Sequence, residues 1–190
     1  YTPGQYYYIK IEKLFGEEHP FSLLEYKENG DIVFGVKEIG KFSKKMAQLK
    51  KDQIVYIEGP YGEFTKEAQN QDPKVIIAGG IGFTPFYELI KNHTTENTFL
   101  FYCNRKIEEA LNIMELKKIL KNRYFNVLDN DDTKGESIIN KRLDMDVLKQ
   151  NLPEKLVKNA NYFLCGSPFF IKAIYELLQS NGIDKSKIFY

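Results

Sequence analysis

One stretch constrains the fold of this chain more than any other, the run Val-Ile-Ile-Ala-Gly-Gly-Ile-Gly-Phe-Thr-Pro from Val75 to Pro85. Its first four residues predict a buried strand, and the glycines and the Thr-Pro pair predict a tight turn that opens a helix. Glycines let the backbone approach a ligand closely, and a helix start favours negative charge. The spacing from Gly80 is Gly-x-Gly-x-x-Pro, which departs from the usual Gly-x-Gly-x-x-Gly, so an ordinary strand-to-helix turn is the alternative to a phosphate site.

The composition excludes several classes of protein. The 190 residues, 43% hydrophobic and 28% charged, are typical of a soluble globular protein with one large or two small domains. A net charge of +1 gives no reason to expect a nucleic acid partner. Cys103 and Cys165 are far apart in sequence, so we predict no iron–sulfur or Cys₄ zinc site and no other metal centre. No apolar run approaches the roughly 18 residues of a membrane span.

The rhythm of the chain changes near residue 70. Before it, strands are predicted at 5–13, 21–26, 32–36 and 54–57, with a two-residue Asn-Gly hairpin turn at 29–30, a short helix at 42–49 and a turn-rich connection at 59–62. After it, strands alternate with helices, which predicts a parallel sheet covered on both faces. The predicted strands are 75–78, 98–102, 125–128, 162–165 and 187–190, and the predicted helices are 85–91, 107–122, 144–150 and 168–180. We therefore predict a β module over 1–68 followed by an α/β module over 73–190.

Three further stretches carry groups suited to a cofactor. Cys165-Gly166-Ser167-Pro168 lies with the glycine turn at the carboxyl ends of parallel strands, where ligands bind in such sheets. His19-Pro20-Phe21-Ser22 combines a phosphate donor, a ring and a hydroxyl, although a turn entering a strand with a core Phe is the alternative. Residues 36–43 offer a glycine, a hydroxyl and two lysines at a second helix start, or simply a strand, a turn and a cap by Ser43.

Taken together, five motifs resemble the ferredoxin–NADP reductase superfamily, and most closely the FAD- and NAD(P)H-binding dehydrogenase domain of NADPH oxidases and ferric reductases. The motifs are His-Pro-Phe-Ser, Val-Lys-x-x-Gly-x-x-Ser, Gly-Pro-Tyr-Gly, Ala-Gly-Gly-Ile-Gly-x-Thr-Pro and Cys-Gly-Ser-Pro, in this order over nearly the whole chain. The resemblance implies that the β module is an FAD-binding antiparallel barrel, truncated at its N-terminus, and that the α/β module binds NAD(P).

The resemblance also implies roles for residues of the flavin site. Phe21 is expected beside the isoalloxazine or ribityl chain, and Ser22 near the flavin N5. Most of the superfamily has Arg-x-Tyr-Ser here, so His19 with Pro20 makes a weaker pyrophosphate clamp, because imidazole is largely neutral at pH 7. The second helix start is expected to hold the flavin pyrophosphate, which favours FAD over FMN; its residues are Val36, Lys37, Gly40, Lys41, Phe42 and Ser43.

On the nicotinamide side, Gly80, Gly82, Thr84 and Pro85 are expected to carry the dinucleotide, with Thr84 close to the nicotinamide ring. Cys165, Gly166 and Pro168 are expected across the cleft, although a small buried residue is the alternative for Cys165. Arg105 stands where a basic residue accepts a 2′-phosphate, which favours NADPH over NADH, and a solvated charge beside Lys106 is its alternative.

The function that the resemblance implies is hydride transfer from NAD(P)H to FAD, followed by release of single electrons to an acceptor, with Ser22, Thr84 and Cys165 orienting the hydride step. The acceptor in the oxidase and ferric reductase branch is a haem in a membrane domain, so we expect a cytoplasmic domain tethered through a segment outside this chain. One alternative is a docking module of the same shape that has lost flavin binding. Another is the electron-transfer subunit of a soluble dehydrogenase, which the lack of a cysteine cluster disfavours.

Two departures from the superfamily pattern bear on flavin binding. The chain opens on Tyr1-Thr2-Pro3-Gly4 without the barrel strands that normally precede this segment, and it stops at Tyr190 without a Glu-x-Phe-like tail. We therefore expect a fragment that binds FAD poorly.

Overall fold

The computed structural model describes residues 1–12, 16–129 and 131–190. The first sheet is antiparallel, with strand order β3-β2-β1-β4. Its strands are β1 (Tyr6–Lys10), β2 (Glu18–Tyr26), β3 (Ile32–Phe34) and β4 (Tyr56–Tyr61), and the helix α1 (Lys41–Ala47) lies between β3 and β4 in the chain. The predicted β module is thus confirmed, whereas residue 13 of the predicted first strand lies outside the described residues.

The second sheet has six strands, all parallel, in the order β10-β9-β5-β6-β7-β8. Its strands are β5 (Lys74–Gly79), β6 (Thr98–Asn104), β7 (Tyr124–Leu128), β8 (Ile138–Ile139), β9 (Asn161–Cys165) and β10 (Ile188–Phe189). The helices are α2 (Tyr87–His93), α3 (Ile113–Leu120), α4 (Met145–Asn151), α5 (Glu154–Asn159) and α6 (Pro168–Ser180). This confirms the predicted α/β module.

The parallel sheet is buried on both faces, as its near-continuous apolar strands require. One face packs against α4, α5 and α6, and the other packs against α2 and α3. The second core reaches into the first sheet, because Leu24 of β2 is buried in it, and Val33 and Phe64 pack against it. The core beneath α2 and α3 therefore extends across the junction into β2 of the first module.

Several predicted elements differ from those observed. The predicted helix 107–122 is interrupted: a 3₁₀ turn (Ile107–Glu109) is followed by irregular residues, because the Leu111 amide donates to the Tyr102 hydroxyl at 3.3 Å and Asn112 has φ +54°. The strand predicted at 54–57 is observed as β4 (Tyr56–Tyr61), which begins two residues later and extends into the predicted turn. The hairpin loop holds three residues, since the Lys27 amide bonds the Asp31 carbonyl at 2.9 Å.

The segment after β5 is also more tightly wound than predicted. A 3₁₀ helix covers Gly80–Phe86, and α2 starts at Tyr87, two residues after the proline that was predicted to open it. No helix among residues 1–12, 16–129 and 131–190 has both the length and the apolar character needed to cross a membrane.

Candidate functional site

The glycine turn packs directly against the Cys165–Gly166 loop at the carboxyl end of the parallel sheet. A Cβ atom on Gly82 would lie 2.5 Å from the carbonyl carbon and oxygen of Cys165 and from the amide nitrogen of Gly166. Because this is a backbone-to-backbone contact, Gly82 is required by packing within the protein. The two motifs predicted to hold the nicotinamide dinucleotide are therefore brought together, and they leave no room for a side chain between them.

Gly80 differs from Gly82 in that its surroundings are open. It has φ +54°, a conformation that favours glycine, and the nearest atom to a Cβ built on it is Nζ of Lys37, at 3.9 Å. Gly80 is thus the position in the turn where a ligand can approach the backbone. Lys37, which the sequence groups with the second helix start, places its ammonium group beside this turn, where an incoming phosphate would meet a positive charge.

Thr84 lies at the junction of the two modules. It is 4% exposed, its hydroxyl donates to the Ile81 carbonyl at 3.1 Å, and its methyl group faces Gly35 at the end of β3. A Cβ atom on Gly35 would lie 2.5 Å from Cγ2 of Thr84. The hydroxyl of Thr84 therefore holds the glycine turn, and its methyl group packs against the end of β3 at the contact between the two sheets. Pro85, the next residue, is also buried.

Cys165 ends β9 and is half-buried against the core that contains Phe83 and Tyr102. Burial raises the pKa of its thiol to about 11, so the group is neutral near pH 7. A neutral thiol is a weak nucleophile and a small polarisable contact. The environment therefore suits orientation of a neighbouring ring better than covalent chemistry. Pro168 follows as the exposed first residue of α6, whose Ser167 caps the Phe170 amide at 3.2 Å.

On the flavin side, aromatic rings gather where β2 meets the start of α1. The Phe42 ring centroid lies 4.3 Å from that of His19 and 6.0 Å from that of Phe21. The His19 ring also contacts the exposed Glu17 carboxylate at 3.4 Å. Three residues from two predicted flavin motifs therefore form one cluster, with planar faces that suit a planar cofactor.

Ser22 and Pro20 lie on the other face of β2. They stand opposite Tyr6 and Tyr8 of β1 in the antiparallel register, and residues that are directly opposite share a face. These four residues line a cleft of about 330 Å³. A larger cleft of about 440 Å³, lined by residues 25–29 and Lys91, contains none of the predicted site residues. The side chains of Phe21 and Ser22 therefore point to opposite faces of β2.

At the second helix start, the Ser43 hydroxyl is engaged within its own turn, because it accepts from the amides of Ile39 and Gly40 at 2.9 Å each. Ser43 thus contributes to capping from the N3 position of a capping box, whereas the N-cap residue itself is Gly40. Lys41 is exposed at the first helical position and Gly40 has open space around it, so the backbone and this charge can still meet a phosphate. Val36 is half-buried between β3 and this turn.

Arg105 follows β6 at the carboxyl end of the parallel sheet, and its side chain is exposed. Within the described part of the chain it forms no ion pair. The carboxylate of Asp131 binds the Ile107 amide at 2.7 Å and so ties the loop that follows β7 to the loop that follows Arg105. Arg105 thus lies at the carboxyl end of the parallel sheet with an exposed side chain, and its contact with a 2′-phosphate stays a prediction.

The two halves of the site meet because β2 lies against the glycine turn. Beyond the site, the same strand is fastened to α2: the buried carboxylate of Glu88 accepts from the Tyr26 amide at 3.3 Å and from the Tyr1 hydroxyl at 2.9 Å. Lys91 pairs with Glu25 at 2.8 Å. The C-terminal half of the strand that carries the flavin motif is therefore bound to the nucleotide module.

Sequence reasoning missed several residues that shape the site, namely Tyr6, Tyr8, Gly35 and Glu88. Alternation along β1 indicated large side chains on both faces but did not identify which face meets Ser22. A glycine within a strand run is a signal of close backbone approach, and Gly35 carried that signal. Glu88 looked like an ordinary charge on an amphipathic helix.

A sheet bearing aromatic rings and a helix start, joined to a parallel sheet whose glycine turn faces them, defines a two-module nucleotide-binding oxidoreductase. The family comparisons agree: residues 1–82 match the model described as an FAD-binding domain, and residues 76–176 match the oxidoreductase NAD-binding domain. The chain therefore belongs to the ferredoxin–NADP reductase superfamily, whose members are flavin-dependent oxidoreductases.

Similar proteins span several branches of this superfamily. NADH-cytochrome b5 reductase 2 of Aspergillus terreus is 34% identical over 159 residues, which cover 76% of this chain and 48% of that protein. A probable dihydroorotate dehydrogenase B electron transfer subunit of Pyrococcus furiosus is 28% identical, over 98% of this chain and 68% of its own. The flavohem-like FAD/NAD-binding domain of nitric oxide dioxygenase from Vibrio cholerae has a TM-score of 0.79 at 20% identity, covering 100% of this chain and 84% of that one. The chain thus spans from about half to most of the length of these proteins.

Proposed function

We propose that this chain is the FAD- and nicotinamide-binding part of an electron-transfer reductase, which takes a hydride from NADH or NADPH and delivers single electrons to an acceptor. The observation that carries the proposal is the contact between Gly35 and Thr84, because it places the end of β3, the strand paired with the flavin-motif strand β2, against the glycine turn. When bound, FAD supplies the redox chemistry of converting a two-electron donor into a one-electron donor.

The residues of the chain contribute binding and orientation. The aromatic cluster of His19, Phe21 and Phe42 offers a planar surface, and Lys41 offers charge for a pyrophosphate. Across the junction, Gly80 and Lys37 receive the phosphates of the dinucleotide, and Thr84 and Cys165 flank the nicotinamide. The hydride step needs no proton donor or acceptor from the protein, so positioning is the main contribution of these side chains.

The proposal also includes the identity of the electron acceptor. A haem is the acceptor that fits both the name of the cytochrome b5 reductase relative and the resemblance of the His-Pro-Phe-Ser motif to ferric reductases and NADPH oxidases. In that branch the haem belongs to a membrane domain, and this chain would act as its cytoplasmic reductase. A search of the encoding gene for upstream hydrophobic spans with paired histidines tests this assignment directly.

The test of the central proposal is anaerobic flavin reduction. The protein is saturated with FAD, mixed with NADH or NADPH, and followed by loss of flavin absorbance. We expect bleaching with at least one dinucleotide, and slower but measurable bleaching after alanine replacement of Ser22, Thr84 or Cys165. A protein that shows no saturable change in flavin fluorescence on titration with FAD would instead be a docking module, and the proposal would be wrong.

A further inference from the structure

An ion pair links the two modules across the glycine turn. Nζ of Lys37, three residues beyond β3, lies 3.1 Å from Oε2 of Glu109, which ends the short 3₁₀ turn after β6. Both side chains are partly exposed, at 45% for Lys37 and 35% for Glu109. The pair therefore bridges the first sheet and the second module at a point that solvent and ligands can reach.

The location of this pair gives it a consequence for binding. The Lys37 ammonium is also the group closest to the open side of Gly80, where the turn leaves space for a ligand. The turn that carries Glu109 is held in place, since the Glu109 amide donates to the Lys106 carbonyl at 3.2 Å and the Ile107 amide donates to Asp131 at 2.7 Å. A carboxylate is thus fixed beside the only side-chain cation, among the described residues, that lies within 4 Å of that open position.

We propose that Glu109 is a competitor for Lys37 that an entering dinucleotide phosphate must displace. The inference rests on the proposed function, because it takes the open side of Gly80 as the phosphate position. A carboxylate and a phosphate both bind an ammonium group through charge-assisted hydrogen bonds, and they repel each other when they are close. Glu109 therefore holds Lys37 across the empty turn, and it weakens the affinity for the ligand that replaces it.

The size of the effect follows from the exposure of the pair. An exposed ion pair contributes little, and releasing Lys37 from it is expected to tighten dinucleotide binding by about two- to fivefold. The gain should shrink as ionic strength rises, because salt screens both the pair and the repulsion between Glu109 and the phosphates. The gain in dinucleotide affinity should also require Lys37. This requirement distinguishes competition for one ammonium group from a general effect of the change in charge.

The experiment measures the Kd for NAD⁺, which binds without reducing the flavin, by calorimetry on the FAD-saturated chain. The variants are Glu109→Gln, Lys37→Met and the double variant, with Glu108→Gln as the matched control. Glu108 lies in the same turn, is exposed, and has no ion-pair partner in the described part of the chain. Melting temperatures of all variants report whether the fold is retained.

We expect Glu109→Gln to lower the Kd by about two- to fivefold at low salt, Glu108→Gln to change it much less, and Lys37→Met to raise it. In the Lys37→Met background, Glu109→Gln should give little further gain. Equal effects of the two glutamine variants, or a full gain without Lys37, would overturn the competition. If the wild-type chain binds FAD but neither NAD⁺ nor NADP⁺, the proposed function itself fails, and the inference fails with it.

Discussion

Adding one methyl group at Gly35 tests whether its contact with Thr84 holds the two modules together. Replacing Gly35 with alanine would place a Cβ atom 2.5 Å from Cγ2 of Thr84 and 3.2 Å from Cδ1 of Ile81. Carbon atoms pack at about 3.5–4.0 Å, so the new methyl group overlaps Thr84 by about 1 Å. Overpacking of this kind costs about 1–3 kcal/mol, which the lower entropy of the unfolded alanine chain offsets by about 0.4–1 kcal/mol.

The same overlap should affect chemistry, because the two modules meet there. A displacement of about 1 Å between hydride donor and acceptor is expected to slow the step by up to about a hundredfold. The assay is urea unfolding for stability and anaerobic stopped-flow bleaching of the flavin for the rate. We expect Gly35→Ala to lower the free energy of unfolding by about 1–2 kcal/mol and to slow bleaching by at least about tenfold.

Thr84→Ser supplies the matched control, because it removes Cγ2 and keeps the hydroxyl that bonds Ile81. Alone it should cost about 1 kcal/mol for the lost buried methyl group. Combined with Gly35→Ala, it should recover most of the bleaching rate, since the remaining neighbour is the flexible end of Ile81. Additive effects of the two substitutions, or a Gly35→Ala variant as fast and stable as wild type, would show that the modules are not seated by this contact.

Three further predictions concern charge and protonation. Arg105→Gln should lower kcat/KM for NADPH about tenfold, the contribution of one hydrogen bond to a charged group, and leave NADH nearly unchanged; equal losses with both substrates would contradict the 2′-phosphate role. Asp144 caps α4 through the Val147 amide at 2.8 Å, so Asp144→Ala should cost about 1 kcal/mol in urea unfolding at pH 7. The hydrogen bond from Lys141, and after it that from the Val147 amide, lower the pKa of this carboxyl. The capping contribution to stability is therefore complete above about pH 4, the ordinary pKa of the group, and is lost as the pH falls through the lower pKa of the folded state. Asp144→Asn should abolish this pH dependence. Finally, burial raises the pKa of the Cys165 thiol to about 11, so its alkylation by iodoacetamide should accelerate about tenfold per pH unit between pH 7 and 10, and a rate that levels off near pH 8 would show an activated thiol.

The sequence carried enough information for the order of the modules and for most strands, because periodicity reports burial directly. It also predicted the terminal helix correctly, from the proline at its start and the Asn181-Gly182 pair at its end. It could not predict the break before α3, since that break depends on a hydrogen bond from Leu111 to Tyr102, which is nine positions away and on another element. The two-residue strand β8 and the six-residue helix α5 were missed because such short runs carry little periodicity.

For the candidate site, the motifs predicted which strand ends carry the site residues, but they did not predict which side chains contact each other. Strand alternation alone puts Phe21 and Ser22 on opposite faces of β2, but only the register with β1 shows that Ser22 lies opposite Tyr6. Lys37 belongs to the second predicted flavin motif, yet its ammonium group lies beside Gly80 because β3 ends at the glycine turn. Such assignments depend on tertiary contacts between distant segments, which propensity and spacing do not contain.

The strand β2 also determines how this protein can be divided. Its first half bears the flavin motif, while Leu24 in its second half is buried in the nucleotide module's core and Tyr26 is held by Glu88. A cut between the predicted modules, near residue 70, would therefore divide one core and expose Leu24, Val33 and Phe64 on one fragment. Chimeras that exchange flavin modules among reductases should fold only when the α2 surface that receives this strand is exchanged with them. Strand β2 and the α2 surface that packs against it must therefore be kept together in any exchange of modules.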